Sequence, residues 1–322
     1  MPQKINGTWD QICTFESLHR AWREVKRGKS ERGIVLRYEN DLACNLERVL
    51  TSLREGTYKP KPHYEFVLYD NKERLIQAPH LEDRIVQHAV CNAIRLPVQS
   101  RLIDHTYSCL IGRGVHRCSN QLTKYLQTGK YTYYLKADVS KFFYNIDHEL
   151  LIAEVRRIFK CKRTIEILSL FIEVNNTTGH GIPIGASTSQ ILANLSLNPL
   201  DHYAKRDLKL HTYLRYCDDM LVLFHTKEEA TKALLGVENK LKDLRFSLNP
   251  SSHIGKVSSG IDWVGYRHWP RYKLVRKSTI RRIKDRLPLP AEVRASYIGH
   301  AKGTASFRYI SCLCRRFRLK AR

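Results

Sequence analysis

With 322 residues, the chain is long enough to bury a full hydrophobic core, in one large domain or two to three sub-domains, and too long for a lone binding module. Lys and Arg number 55 against 31 Asp and Glu, a net charge of +24 that indicates a polyanionic partner, nucleic acid before an anionic membrane surface. Because the sequence has no long apolar run, signal peptide or lipidation motif, we expect a cytoplasmic protein without a membrane partner.

The first third of the sequence predicts helices followed by a hairpin. Residues 1–60 have apolar residues at helical spacing, beginning after a helix-start signal at Thr14. Apolar runs at 66–69 and 74–79, separated by the polar residues 70–73, predict two antiparallel strands joined by a turn.

Two β-prone stretches carry conspicuous acids. An aromatic run at 131–137 ends at Asp138, and two apolar runs within 213–224 flank Asp218 and Asp219, which predicts a hairpin with both acids at its tip. Adjacent aspartates repel each other, and a hard divalent cation such as Mg²⁺ relieves that repulsion. If the strand lies beside the hairpin, Asp138 and Asp218 face each other and can hold two metal ions about 3.5–4 Å apart. Alternatively, the acid pair serves only the geometry of a turn.

The segments around these acids are predicted to be mostly helical. Helical spacing covers 149–172, 191–201 and 227–244, and residues 260–267 predict another hairpin. From residue 271 onward, basic side chains are interleaved with aromatic ones, which is typical of helices that grip nucleic acid by its phosphates.

Three motifs resemble those of one enzyme family. Ala-Asp-Val-Ser-Lys-Phe-Phe at 137–143 and Tyr-Cys-Asp-Asp at 216–219 resemble the two carboxylate motifs of reverse transcriptases. Gly-Ile-Pro-Ile-Gly-Ala-Ser-Thr-Ser-Gln at 181–190 resembles the fourth conserved block of the reverse transcriptases of diversity-generating retroelements. Most other reverse transcriptases, including the related group II intron and retron enzymes, have Gln-Gly and Ser-Pro where this chain has Ile184-Gly185 and Ser189-Gln190.

The resemblance implies an α+β fold of the right-hand polymerase type, with fingers, a palm containing an antiparallel sheet, and a helical thumb. It implies an RNA-directed DNA polymerase that copies template RNA with errors at adenines. The alternatives are a group II intron or retron reverse transcriptase, and a non-catalytic RNA-binding protein of the same fold. The group II intron or retron alternative is disfavoured by Ile184, by Gln190 and by the lack of an endonuclease or maturase extension. The non-catalytic alternative is disfavoured by the intact acids. The implied boundaries are 1–60 for an N-terminal helical extension, 61–130 for fingers, 131–268 for palm with some fingers helices, and 269–322 for thumb.

The resemblance also assigns roles to individual residues. Asp138, Asp218 and Asp219 are implied to be catalytic and, with the Val139 carbonyl, to bind two Mg²⁺ or Mn²⁺ ions. Phe143 falls at the aromatic steric gate against a 2′-hydroxyl, with the alternative that Phe142 and Phe143 are both core residues. The other implied nucleotide-binding residues are Arg74, Lys72, Ile184, Gly185, Gln190 and Lys256. The implied primer grip is Trp263, Gly265 and Tyr266, for which a core hairpin is the alternative.

Two of these positions depart from the common pattern. Ile184 makes only apolar contacts where a glutamine would hydrogen-bond, so we expect weaker discrimination between correct and wrong base pairs. Ser252 stands where related enzymes often have a lysine that acts on the pyrophosphate, and Lys256 is the possible replacement.

The resemblance implies partners and a cellular setting. The partners are template RNA, an RNA or DNA primer, deoxynucleoside triphosphates and a basic, helical, oligomeric accessory protein. The setting is the cytoplasm of a bacterial or phage-infected cell.

Overall fold

The computed structural model describes residues 3–70, 72–175 and 178–316, with the side chains of Asp70, Lys72 and Arg316 left outside the description. The helices are α1 (Thr8–Ile12), α2 (Phe15–Lys26), α3 (Gly33–Asn40), α4 (Leu42–Glu55), α5 (Leu81–Gln99), α6 (Val115–Gln127), α7 (His148–Ile158), α8 (Lys162–Glu173), α9 (Ser187–Ser196), α10 (Asn198–Arg206), α11 (Lys227–Asp243), α12 (Lys277–Asp285), α13 (Ala291–Ala301) and α14 (Phe307–Arg316). The strands are β1 (Tyr64–Asp70), β2 (Lys72–Ala78), β3 (Tyr133–Ala137), β4 (Leu214–Tyr216), β5 (Asp219–Phe224), β6 (His253–Lys256), β7 (Ile261–Trp263), β8 (Tyr266–His268) and β9 (Lys273–Val275). No described helix is both long and apolar enough to cross a membrane.

The chain folds into two compact units, each built from three separate segments. The first unit consists of Met1–Asp104, Val139–Asp207 and Glu238–Asn249, and the second of His105–Asp138, Leu208–Val237 and Pro250–Arg322. In the first unit, β1 and β2 form a hairpin. The second unit contains a four-stranded antiparallel sheet in the order β4-β5-β3-β6 and a three-stranded sheet in the order β7-β8-β9. The finer division predicted at residues 60, 130 and 268 stays a prediction.

The four-stranded sheet forms the centre of the second unit. In β5, all residues from Met220 to Phe224 are buried, because both faces of the strand are covered. A strand covered on both faces has a continuous apolar run instead of alternating residues, which is the pattern that this sequence has. On one face, Leu221 and Leu223 belong to a core cluster with Leu122 of α6 and with Trp263.

In the first unit, α5 packs against both α2 and α9. The helix start predicted at Thr14 is confirmed, because the Thr14 hydroxyl accepts a hydrogen bond from the Ser17 amide at 3.1 Å. Capping fixes where α2 begins, and its buried residues Leu18 and Val25 then face the core.

Two predicted elements have different bounds in the structure. The predicted helical stretch over 149–172 is two helices, α7 and α8, because the chain between them pairs with the N-terminal segment. The backbone amide of Lys160 donates a hydrogen bond to the Ile5 carbonyl at 2.9 Å, and the Ile5 amide donates one to the Ile158 carbonyl at 2.8 Å. The predicted polar turn over 70–73 is shorter, because β1 runs to Asp70 and β2 begins at Lys72.

A buried histidine in the second unit gives the fold a predictable pH dependence. Burial and the neighbouring Lys273 charge lower the pKa of His268 to about 3, so His268 stays neutral in the folded protein. The unfolded chain binds this proton below about pH 6.5. Stability therefore falls as the pH drops from 6.5 towards 3, by about 1.4 kcal/mol per pH unit from this group.

We expect His268→Gln to reduce the loss of unfolding free energy between pH 7 and pH 5, as measured by urea denaturation. His63, whose pKa burial lowers to about 4, leaves a residual dependence in the variant. Equal pH slopes in the variant and the wild type would show that His268 is not the group that titrates.

Candidate active site

One end of the four-stranded sheet collects the three acids. β3 and β5 pair with Ala137 opposite Met220, so one step further in the same register Asp138 is level with Asp219. Directly opposed residues in an antiparallel pair have Cβ atoms about 5 Å apart. The sequence predicts that Asp138 and Asp218 face each other across this end of the sheet. In the strand register it is Asp219 that is level with Asp138, because Cys217 and Asp218 form the turn between the paired residues Tyr216 and Asp219.

The turn that carries Asp218 is fixed by its neighbours. Cys217 adopts a φ of 58°, in the left-handed region that few non-glycine residues enter. Its carbonyl oxygen accepts a hydrogen bond from Arg215 at 2.9 Å, and the Arg215 side chain is completely buried. The Arg215 carbonyl in turn accepts from the Tyr107 amide at 3.0 Å. These contacts hold the backbone of Asp218 in place.

The electrostatics of the acids favour a cation. Burial raises the pKa of Asp218, and the charge of Asp219 raises it further. Burial also raises the pKa of Asp219, the Lys136 ammonium opposes the increase, and Asp138 reinforces it. Holding all three acids ionised therefore costs free energy, which a bound divalent cation would offset.

The donor set fits Mg²⁺. Within the described ranges, no three or more His, Cys, Asp or Glu side chains come together in a group that could hold a metal ion. Mg²⁺ does not require such a group, because it keeps several waters and is usually bound by one or two carboxylates together with substrate phosphates. Carboxylate oxygens of Asp138, Asp218 and Asp219 supply the ligand type that Mg²⁺ prefers.

Asp138 is also anchored from the side of β6. Its amide donates a hydrogen bond to the Ser252 hydroxyl at 3.1 Å. The serine that departs from the family pattern thus contacts the backbone of one of the three acids. The sequence alone carries no signal for this contact, because it joins residues 114 positions apart.

The structure does not bring Lys256 to the acids. Lys256 pairs with Tyr133, at the opposite end of β3 from Asp138, and five strand residues span about 16 Å. Lys136 is instead the lysine whose charge acts on Asp219. Because side chains alternate along a strand, Lys136 and Asp138 lie on the same face of β3, a signal that the sequence offered and the prediction missed.

In the first unit, the predicted nucleotide-binding block lies against the hairpin. The Ile184 carbonyl accepts a hydrogen bond from the Gln77 amide at 2.8 Å. Gly185 has a φ of 122°, and a Cβ there would lie 3.1 Å from Ile76 Cγ2 and 3.2 Å from the Gln77 oxygen. Glycine is therefore required for this close approach. Arg74 lies exposed on the same face of β2 as Ile76, whereas the side chain of Lys72 lies outside the description.

Phe142 and Phe143 have different environments. Phe142 is buried, with 3% exposure, and packs against Phe246, whereas Phe143 is only half-buried. Phe142 is therefore the core residue of the pair, and Phe143 keeps an accessible ring. Val139 is buried, and its backbone forms an isolated bridge with Leu248.

The start of α9 is held by a chain of hydrogen bonds that the sequence did not reveal. The Ser187 hydroxyl lies 3.2 Å from His88 Nε2, and His88 Nδ1 lies 3.2 Å from a Glu24 carboxylate oxygen. This chain ties α9 to α5 and α2, and Gln190 is exposed on the first turn of α9. His88 is thus a positioning group.

The predicted primer grip is a tight hairpin with a buried base. Trp263 pairs with Tyr266 across a turn in which Val264 and Gly265 have φ values of 40° and 91°, as in a type I′ turn. Both rings are fully buried, and Trp263 donates a hydrogen bond to Cys118 Sγ at 3.1 Å. The buried rings of Trp263 and Tyr266 anchor the hairpin to the core. Further along, residues 317–322, predicted as basic thumb residues, lie outside the described ranges.

A family profile and curated proteins match this chain in sequence. A family profile described as reverse transcriptase (RNA-dependent DNA polymerase) matches residues 59–268, more than half of the chain. Protein YkfC of Escherichia coli (strain K12) is 29% identical over 176 residues, which cover 50% of this chain and 46% of YkfC. The group II intron-encoded protein LtrA of Lactococcus lactis subsp. cremoris is 23% identical over 168 residues, which cover 49% of this chain and 28% of LtrA. The chain thus spans less than half the length of the curated relatives it matches.

Solved structures share the fold. Telomerase from Candida albicans, in complex with a TWJ fragment of telomeric RNA, has a TM-score of 0.52 and 12% identity, covering 68% of this chain and 46% of that one. Apo telomerase from Candida tropicalis has a TM-score of 0.53 and 10% identity, and the match covers 84% of this chain and 61% of the telomerase chain. The predicted α+β right-hand polymerase fold, with antiparallel sheets and helices, is confirmed. By its sequence motifs, its fold and the matched profile, the chain belongs to the reverse transcriptase family.

Proposed function

We propose that the chain is an RNA-directed DNA polymerase that extends a primer along a template RNA with deoxynucleoside triphosphates. One observation carries the proposal: three carboxylates share one end of a sheet in a chain with a net charge of +24. A protein that only binds RNA gains nothing from half-buried acids beside a polyanion, because they repel its ligand. A polymerase needs them to bind metal ions.

The roles follow from the donor chemistry. Asp138, Asp218 and Asp219, with the Val139 carbonyl, would hold two Mg²⁺ ions, for which Mn²⁺ can substitute. Bound there, the ions supply charge stabilisation for the attacking 3′-hydroxyl and the leaving pyrophosphate. Arg74, with Lys72, binds the triphosphate, because a guanidinium matches phosphate oxygens in a bidentate manner.

Within the family, we assign the chain to the diversity-generating retroelements, with adenine-directed errors and a basic, helical accessory protein as partner. The support is the block at 181–190, in which Ile184 and Gln190 replace the more common glutamine and proline. The match to LtrA favours a second candidate, a polymerase of the group II intron type. The error spectrum separates the two, because the second candidate has no bias towards template adenines.

Primer extension on a defined RNA template in Mg²⁺, followed by sequencing of the product, tests the proposal. We expect template-dependent cDNA whose errors concentrate at adenines. Faithful cDNA would favour the group II intron candidate. Tight RNA binding without extension, under conditions that include a basic helical accessory protein, would favour the non-catalytic alternative.

Ile184→Gln tests the source of the errors. Restoring a side chain that can hydrogen-bond is expected to reduce misincorporation at adenines by about tenfold, corresponding to roughly 1.4 kcal/mol of added discrimination. The matched control is Ile184→Leu, which keeps an apolar side chain of similar size and should keep the wild-type error spectrum. An unchanged spectrum in Ile184→Gln contradicts this role of Ile184.

A further inference from the structure

Arg276 and Asp262 form an ion pair beside the turn of the predicted primer grip. Arg276 immediately precedes α12, and its amide donates a hydrogen bond to the Gly265 carbonyl at 3.3 Å. Its guanidinium pairs with the carboxylate of Asp262, in the middle of β7. Arg276 therefore joins the turn of the predicted primer grip to the first predicted thumb helix.

Both charges of this pair also act on Asp219. The Arg276 charge favours the ionised form of Asp219, and the Asp262 charge disfavours it. Arg276 is therefore tied to the primer-grip turn, and its charge also affects the pKa of Asp219. A primer end held at that turn would meet this guanidinium.

Fold stability is a weak explanation for the pair. The side chains of Arg276 and Asp262 are 37% and 54% exposed, and ion pairs this exposed typically contribute little to stability. The Asp262 charge also disfavours the ionised form of Asp219, which increases the repulsion described above. In addition, Arg276 Nε is buried and has no hydrogen-bond partner among the described residues. The guanidinium therefore keeps an unused donor.

We propose that Arg276 binds a phosphate of the primer strand next to its 3′ end, and that Asp262 occupies the guanidinium until that phosphate displaces it. The proposal rests on the proposed polymerase function, which supplies the primer. A phosphate presents more acceptor oxygens than a carboxylate, so after displacing Asp262 it can accept hydrogen bonds from more than one guanidinium N–H. Asp262 then competes with the primer and weakens its binding.

This competition predicts effects of opposite sign from the two halves of one ion pair. Arg276→Gln is expected to weaken the binding of a fluorescein-labelled DNA primer annealed to an RNA template by about tenfold, the loss of one charged hydrogen-bonding contact. The slope of log affinity against log salt should fall by about one. Asp262→Asn is expected to strengthen binding severalfold. Arg276→Lys keeps the charge but loses the fork, and should lie between wild type and Arg276→Gln.

The measurement is fluorescence anisotropy in Mg²⁺ without nucleotides, together with thermal unfolding of each variant. The matched control is Arg157→Gln, which removes the same charge and breaks another ion pair in which the arginine is exposed, with Glu154. It should change affinity far less than Arg276→Gln. If Arg276→Gln and Asp262→Asn both weaken binding and both lower the melting temperature, the pair is structural and the proposal is wrong. Equal affinity losses in Arg276→Gln and Arg157→Gln also overturn it, because general charge then explains the result.

Failure of this inference and failure of the proposed function can be distinguished. The binding assay involves no chemistry, and primer extension by the wild-type protein is measured separately. Extension by the wild type without opposite effects on binding rejects only the role of Arg276. Opposite effects without any extension support the phosphate site and reject the polymerase.

Discussion

Asp218→Asn is expected to lower the rate of primer extension by about a thousandfold or more. At the same time, it is expected to raise the melting temperature of the protein. The loss follows if Asp218 holds metal ions, because metal stabilisation of the transition state contributes several kcal/mol and each 1.4 kcal/mol is about tenfold in rate. The gain in stability follows from the raised pKa of Asp218: its ionised form is disfavoured by burial and by Asp219, and Asn removes that charge.

The opposite directions make the result informative. A variant that had merely misfolded would lose activity and melt at a lower temperature. Mg²⁺ gives a second readout: it should stabilise the wild type against heat in a concentration-dependent manner and stabilise Asp218→Asn much less. The matched control is Asp243→Asn, because Asp243 is a surface carboxylate of α11 that contacts Lys240 at 3.5 Å. If Asp218→Asn still extends primers at the wild-type rate, Asp218 is not a required metal ligand.

Phe143→Ala is expected to let the enzyme incorporate ribonucleotides, with discrimination against them falling by about a hundredfold. A ring packed beneath the sugar excludes a 2′-hydroxyl by steric overlap, and a clash of this kind is typically worth about 1–3 kcal/mol. The half-buried position of Phe143 leaves its ring available for this contact. The measurement compares kcat/KM for a ribonucleotide and the matching deoxynucleotide in single additions.

Phe142→Ala provides the contrast, because Phe142 lies next in sequence but is buried against Phe246. Removing a buried phenylalanine typically costs about 3–5 kcal/mol, so we expect a lower melting temperature with sugar discrimination unchanged in the protein that remains folded. If Phe142→Ala lowers sugar discrimination while Phe143→Ala lowers only the melting temperature, Phe142 is the gate. No change in sugar discrimination in either variant would place the gate elsewhere.

The sequence predicted features that depend on local patterns. Alternating and continuous apolar runs predicted the β4–β5 hairpin, and the helix start at Thr14 depends on contacts three residues apart. The acids at one end of the sheet follow from a strand that Asp138 directly follows and from a hairpin with Asp218 and Asp219 at its tip. Which aspartate lies opposite Asp138 depends on the length of the turn, and a turn of two residues gives that position to Asp219.

Contacts between distant parts of the chain escaped the sequence analysis. The break between α7 and α8 arises because Ile5 pairs with the chain there, and no pattern within 149–172 records it. The need for glycine at position 185 arises from the passage of β2 nearby, which is also a long-range contact. The position of Lys136 differs from these long-range contacts, because strand periodicity alone places Lys136 on the same face as Asp138.

The interleaving of the two units has a consequence for biosynthesis. β3 lies between β5 and β6, and β6 ends at Lys256, so a nascent chain cannot complete the four-stranded sheet until that residue has left the ribosome. Each unit also takes segments from both halves of the chain, so neither can be released as one continuous fragment. We therefore expect slow folding, in which the apolar strand Asp219–Phe224 stays exposed until its partner strands have been synthesised.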